Sequence, residues 1–228
     1  MTTAISPGKT RSPLSERLDL IISPIFAAAL AILGFAVWIY SDLDKITIAI
    51  LSPDKIQRQI GETLILGLTS SILVVLIAVP VGILVTRKGY PRLKSALVNT
   101  LGLGQALPAY GLIVIFFSFM GSGIVTVILA LATFSLLPVL RNTIVGLEQV
   151  DKSVIDAARG MGLTARQILL KIELPLSVEV ILGGIRTAVV INIGFSALAF
   201  LVGGGGLGET INSGLKLDRG PAILIGAV

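Results

Sequence analysis

The sequence predicts an all-α protein, a polytopic bundle of transmembrane helices with five full spans and the start of a sixth. Three observations carry this. The chain is 54% apolar and only 14% charged, with a mean hydropathy of +0.96; a soluble domain carries about 25% charged residues. The apolar residues gather in runs of about 20, the length a helix needs to cross a ~30 Å hydrocarbon core. Basic residues concentrate between alternate runs, as the positive-inside rule demands of a multi-pass protein.

The first run covers 21–40, after Lys9, Arg11 and Arg17. It is longer than a signal-peptide core and no small-x-small cleavage site follows, so it reads as an uncleaved first span. Trp38 and Tyr40 close its outer end as interfacial anchors. The second and third spans cover 62–86 and 96–118. Pro80 and Pro108 sit inside them, which a bundle tolerates where neighbours satisfy the freed carbonyls. The fourth span, 123–140, follows a Gly121-Ser122-Gly123 turn, so spans three and four form a hairpin. The fifth covers 176–201. Loops fall at 41–60, 87–95, 119–122, 141–175 and 202–220. Pro221 to Val228 is apolar but only about 12 Å long as a helix. It is expected to be the start of a final span in a shortened chain, or a re-entrant end.

Charge sets the orientation. With the N-terminus inside, twelve bases lie on inner segments: Lys9, Arg11, Arg17, Arg87, Lys88, Arg92, Lys94, Arg141, Lys152, Arg159, Arg166 and Lys171. Five lie on outer segments: Lys45, Lys55, Arg58, Lys216 and Arg219. The loop 141–175 is therefore expected in the cytoplasm of a cell-membrane protein. The chain has no Cys and no His, which excludes disulfides, thiolate chemistry and His-based metal sites. No metal site and no cofactor is expected. The net charge of +5 has no basic cluster with interleaved aromatics behind it, so nucleic acid is not a partner.

Several polar residues lie within spans. Glu179 and Arg186 are seven apart and share a helix face. An arginine at membrane depth must face protein, water or an anion. Arg186 therefore reads either as lining or gating a path, or as a structural ion pair to a neighbouring span, and Asn192 extends the same polar interior. Asn99 and Gln105 read as a further polar interior or as inter-helical glue. Gly203 to Gly208 satisfies G-x-G-x-x-G, but a membrane helix precedes it where a dinucleotide fold needs a strand. It reads as a flexible loop after a helix. Gly8-Lys9-Thr10 mimics the tail of a P-loop without its first glycine, so ATP hydrolysis would belong to another subunit.

The segment Asp156 to Pro175 is the most informative. It reads acid-Ala-Ala, three residues, Gly, nine residues, Ile, one residue, Leu-Pro. Asp156 favours the N-terminal dipole of a short helix. Ala157 and Ala158 leave room for a partner surface to approach the backbone. Gly160 and Gly162 break the helix and permit a turn. Thr164 is placed to cap a second helix over 164–173, with Ile168, Leu169 and Ile172 on one face. Pro175 starts the next span, where a missing N–H is harmless.

This spacing resembles the EAA loop of permease subunits of ATP-binding-cassette (ABC) importers, with Asp156 where the family has Glu. The resemblance implies a fold of the type I ABC importer permease kind. It implies that Asp156, Ala157, Ala158, Arg159 and Gly162 form the coupling helix that docks on a separate ABC ATPase subunit. It implies as partners a second permease chain, identical or paralogous, and an extracytoplasmic substrate-binding protein. Leu137 to Thr143, Asp156 to Thr164, Gly183 to Gly194 and the glycine run sharpen it towards permeases for osmoprotectants such as glycine betaine, carnitine and choline. On that basis residues 60–228 form the permease domain and residues 1–59, with the first span, are an addition. Pro108, Arg186 and Asn192 would lie on the translocation path or gate. Gly203, Gly204, Gly205 and Gly206 would form a loop facing the binding protein. The family's Gln-Thr-(Ile/Leu)-Pro-Ser reads Gln105 to Ala109 without either hydroxyl. Cages for quaternary ammonium groups are built from several aromatic rings, and 5% aromatics with one Trp provides none within the spans. Selection is thus expected in the binding protein, and the chain itself performs no covalent chemistry. A methionine-type amino-acid permease is the alternative. A secondary transporter is the more distant one, since neither an internal repeat nor a mid-span acid relay is present.

Overall fold

The structure, a computed structural model, describes residues 44–87 and 91–227, with a few helical positions between Ile25 and Ala36. Most of the expected first span, Trp38 and Tyr40 included, lies outside the described residues. In chain order the helices are α1 (Lys45–Ile50), α2 (Pro53–Thr86), α3 (Pro91–Ala106), α4 (Ala109–Met120), α5 (Ile124–Glu148), α6 (Lys152–Gly160) and α7 (Ala165–Ile168). A π-helical turn, Leu169–Glu173, leads into α8 (Leu174–Ser196), then a 3-10 turn (Ala199–Val202), α9 (Gly208–Lys216) and α10 (Gly220–Ala227).

Two compact units result. One joins residues 1–52 to 211–228; the other is 53–210. In the first, Asp44 caps α1, accepting from the Thr47 hydroxyl (2.6 Å) and the Thr47 N–H (3.0 Å). Those bonds, with Arg219 at 2.9 Å, hold its carboxyl below the ordinary value.

In the second unit α2, α5 and α8 pack on one another, and α3 and α4 lie along α5. Their sequence pattern is the reverse of a soluble helix. The inward face of α2 is small or weakly polar: Gly67, Ser70, Ser71, Val74, Ala78, Gly82 and Val85 are buried at helical spacing. Its outward face is large and apolar, with Ile65, Leu68, Ile72 and Leu76 exposed. In lipid no hydrophobic force draws helices together, so small residues that allow close backbone approach do so instead. Gly184 of α8 shows how close: a Cβ there would stand 2.7 Å from Asn142 Nδ2 and 2.9 Å from the Pro138 carbonyl. Buried hydroxyls bond to carbonyls one turn back, as Ser70 does to Leu66 and Ser135 to Leu131.

Among the described residues three helices are long and apolar enough to cross a membrane: α2, α5, and the continuous run Ala165–Ser196. Each differs from the expected boundaries. The second span starts nine residues early, at Pro53 rather than 62, and the fourth runs on to Glu148. The fifth has no break at Pro175. The π turn before it widens the helix where the proline ring would meet the carbonyl one turn back, so the chain continues. The expected third span, 96–118, is not one helix. It stops at Ala106 and resumes at Ala109 with Pro108 at the N-cap. Proline pushes Leu107 out of the helical region, whereas Pro80 and Pro138 lie within unbroken helices.

Candidate functional site

Helix α6 stands between the end of α5 and the start of the next membrane-crossing run. Nine residues are too few for a stable isolated helix, so its ends matter. Asp151 caps the start, accepting from the Ser153 N–H at 2.8 Å. That bond holds the Asp151 carboxyl below its ordinary value. The cap's contribution is therefore present throughout the neutral range and is lost only as pH falls through the lowered folded-state value. The other end closes as a Schellman motif: Leu163 N–H donates to the Ala158 carbonyl (3.1 Å) and Gly162 N–H to that of Arg159 (2.9 Å). Gly162 takes φ +80°, a left-handed conformation that costs an L side chain roughly 1–2 kcal/mol. It is the glycine that makes the turn; Gly160 is the last helical residue and has no such conformation.

Asp156, Ala157, Arg159 and Gly162 are exposed, as are Val154 and Met161, the latter at 72%. Asp156 and Arg159 pair at 2.9 Å one turn apart. Ala158 corrects the sequence reading. It is fully buried within its own chain, where the helix packs against α7, so its small size serves that packing and it is not on the exposed face. The expected cap at Thr164 is present as a capping box: Gln167 Oε1 accepts from the Thr164 N–H (2.8 Å) and Thr164 Oγ1 from the Gln167 N–H.

Two ion pairs that the sequence did not disclose flank α6. Glu148, at the end of α5, takes Lys94 of α3 at 2.6 Å. Glu173, in the π turn, takes Arg87 at 2.6 Å, just past the end of α2. The Glu173 side chain is only 9% exposed. Removing Arg87 would strand an enclosed carboxylate, but Arg87 is itself 36% exposed, so the cost falls below the ~3–5 kcal/mol of a fully buried pair.

The opposite end of α2 holds the glycine run. Glu62 accepts from the Gly206 N–H (2.8 Å) and Thr63 Oγ1 from the Leu207 N–H (3.0 Å). The Thr210 hydroxyl donates to Gln59 Oε1, and both residues are fully buried. The run is thus latched rather than the flexible loop expected. Gly204 and Gly206 are buried and Gly203 is exposed. At Gly205, φ +76°, a Cβ would stand 2.5 Å from Glu62 Oε2. The latch needs that close approach; Gly205 is half-buried and Gly203 is the exposed glycine of Gly203–Gly206.

The other expected path residues divide. Asn192 is fully buried and donates to Ser71 Oγ at 3.0 Å, tying α8 to α2 and facing no open space. Gln105 similarly donates to the Phe134 carbonyl. Pro108 is exposed at the break between α3 and α4. Arg186 and Glu179 share the exposed face of α8, and among the described residues neither has an ion-pair or hydrogen-bond partner. The structure does not bring Pro108, Arg186 and Asn192 together on one surface.

Among the described residues, an all-helical bundle with small residues inside and large apolar residues outside defines a polytopic membrane protein. Comparison makes the class specific. Residues 78–228 match the family of binding-protein-dependent transport system inner membrane components, and the chain belongs to that family. It is 39% identical over 170 residues to the carnitine transport permease protein OpuCB of Listeria monocytogenes, covering 75% of this chain and 77% of that one. It is 37% identical over 170 residues to the glycine betaine/carnitine/choline permease OpuCB of Bacillus subtilis, covering 74% and 76%. It is 38% identical over 164 residues to the osmoprotectant import permease OsmY of Salmonella typhimurium, covering 72% and 70%. Among solved structures it resembles an inward-facing form of the MetNI methionine ABC transporter at TM-score 0.66 and 25% identity, covering 80% of this chain and 88% of that one. The chain is a multi-pass membrane permease of the type I ABC importer fold.

Proposed function

We propose that the chain forms half of the translocation path of an ATP-driven importer for an osmoprotectant of the glycine betaine, carnitine and choline class. Residues 60–228 are the permease domain and 1–59 an added segment. Helix α6 is the coupling helix: it lies in the cytoplasm with the N-terminus, and a separate ATPase docks on Asp156, Ala157, Arg159, Met161 and the turn at Gly162. The single observation that carries the reading is this helix, closed at both ends by its own caps, exposed on one face and set between two membrane-crossing helices. A second permease chain, identical or paralogous, covers the exposed face of α8 and puts Arg186 against the path, where a bare charge at membrane depth finds water or a partner. An extracytoplasmic binding protein delivers substrate at the glycine-loop end. The chain hydrolyses no ATP.

The substrate class is tested in cells that lack their own osmoprotectant uptake and express the permease with its ATPase and binding protein. Labelled carnitine, glycine betaine or choline should accumulate, and excess methionine should not compete. Accumulation of methionine instead would keep the importer and overturn the osmoprotectant assignment.

A further inference from the structure

Three of the polar contacts described above, Arg87–Glu173, Glu62–Gly206 and Thr63–Leu207, lie along one rod. Helix α2 is a single helix of 34 residues. At one end Arg87 pairs with the buried Glu173 in the π turn that follows α6 and α7. At the other end Glu62 and Thr63 hold the backbone of the glycine run. From Glu62 to Arg87 is about 38 Å along the helix axis, more than the thickness of a hydrocarbon core. Between these ends α2 presents a small, close-packed face to α5 and α8, so it slides or tilts as a body rather than bending residue by residue. We propose that α2 is the strut that carries movement of α6 across the membrane to the glycine loop, with Arg87–Glu173 as its input joint and Glu62–Gly206 as its output joint.

The chemistry of the joints suits this role. An ion pair at 2.6 Å with one member almost fully enclosed holds under load, because separation leaves a carboxylate uncompensated. The π turn that carries Glu173 is an irregularity of the kind found at functional sites. At the far end the acceptor is a side chain and the donors are backbone N–H groups, so the loop follows the strut whatever its own side chains are. Lys94–Glu148 ties the segment after α2 to the other support of α6. Both roots of α6 are thereby held, one to the end of α2 and one to α3. Arg87, Glu173 and Glu62 are positioning residues: each acts through another element and touches no substrate.

The inference rests on the importer reading, and the experiment separates the two. Complexes of permease, ATPase and binding protein are reconstituted in proteoliposomes, and substrate taken up per ATP hydrolysed is measured. If the wild-type complex gives no ATP-driven uptake, the importer reading fails by itself. Given wild-type uptake, Glu173→Gln and Glu62→Ala should each assemble and hydrolyse ATP while uptake per ATP falls about tenfold. The double reversal Arg87→Glu with Glu173→Arg should recover most of the ratio, because it restores the joint with its charges exchanged. A merely structural pair would lower assembly, hydrolysis and uptake together and leave the ratio unchanged, which would overturn the proposal. Should Glu173→Gln not assemble, Glu62→Ala gives the reading alone: a lowered ratio supports the strut, and an unchanged ratio overturns it.

Discussion

A Gly162→Trp variant should reach the membrane at the normal level and lose ATP-driven uptake by more than about tenfold. Two effects act at this position and a second substitution separates them. The left-handed φ of +80° penalises any L residue by roughly 1–2 kcal/mol. Gly162→Ala carries that penalty alone. The space around Gly162 is open, since a Cβ there meets nothing within 4 Å in its own chain. An indole can therefore be accommodated by the permease and obstructs only what approaches from outside. Alanine should leave most of the uptake intact, while tryptophan should abolish it and release the ATPase from the membrane. Normal uptake by the tryptophan variant at wild-type membrane levels would show that nothing docks at this turn.

The second large effect concerns selection. Proteoliposomes holding permease and ATPase without the binding protein should show no saturable uptake, and adding the binding protein should restore it. Quaternary ammonium recognition needs several ring faces around one cation. The chain has only 5% aromatic residues, and Phe134 and Phe195 stack edge to face at 5.1 Å, ring against ring. Saturable, high-affinity uptake without the binding protein would place selection in the permease and contradict the division of labour.

What the sequence discloses and what it does not follow from the range of the interactions. Caps are local: Thr164 and Gln167 stand three apart, and the capping box expected from Thr164 is present. The left-handed turn at Gly162 is local too. Prolines are less legible. Pro80, Pro138 and Pro175 sit in continuous helices and Pro108 does not, because the outcome depends on neighbouring helices and on the π turn rather than on the proline. The family resemblance puts Ala158 on the coupling helix and Asn192 on the path, and within this chain both are buried. The joints of α2 were not legible at all. Arg87 and Glu173 are 86 residues apart and Glu62 and Gly206 are 144 apart, so no periodicity brings them together. A residual signal was present: Glu173 is an acid at the edge of an apolar run, where an unpaired charge is costly.

The central claim is that α6 is the surface an ATPase grips, and cysteine cross-linking tests it most directly because the chain has no native cysteine. Ala157→Cys on the exposed face of α6 and Ser122→Cys in the exposed turn before α5 are compared in the assembled complex. Ser122 lies by Gly203, at the glycine-loop end of the bundle. A short bifunctional reagent should join Ala157→Cys to the ATPase and leave Ser122→Cys unjoined to it, with the yield changing when ATP is added. A cross-link from Ser122→Cys to the ATPase, with none from Ala157→Cys, would contradict the account.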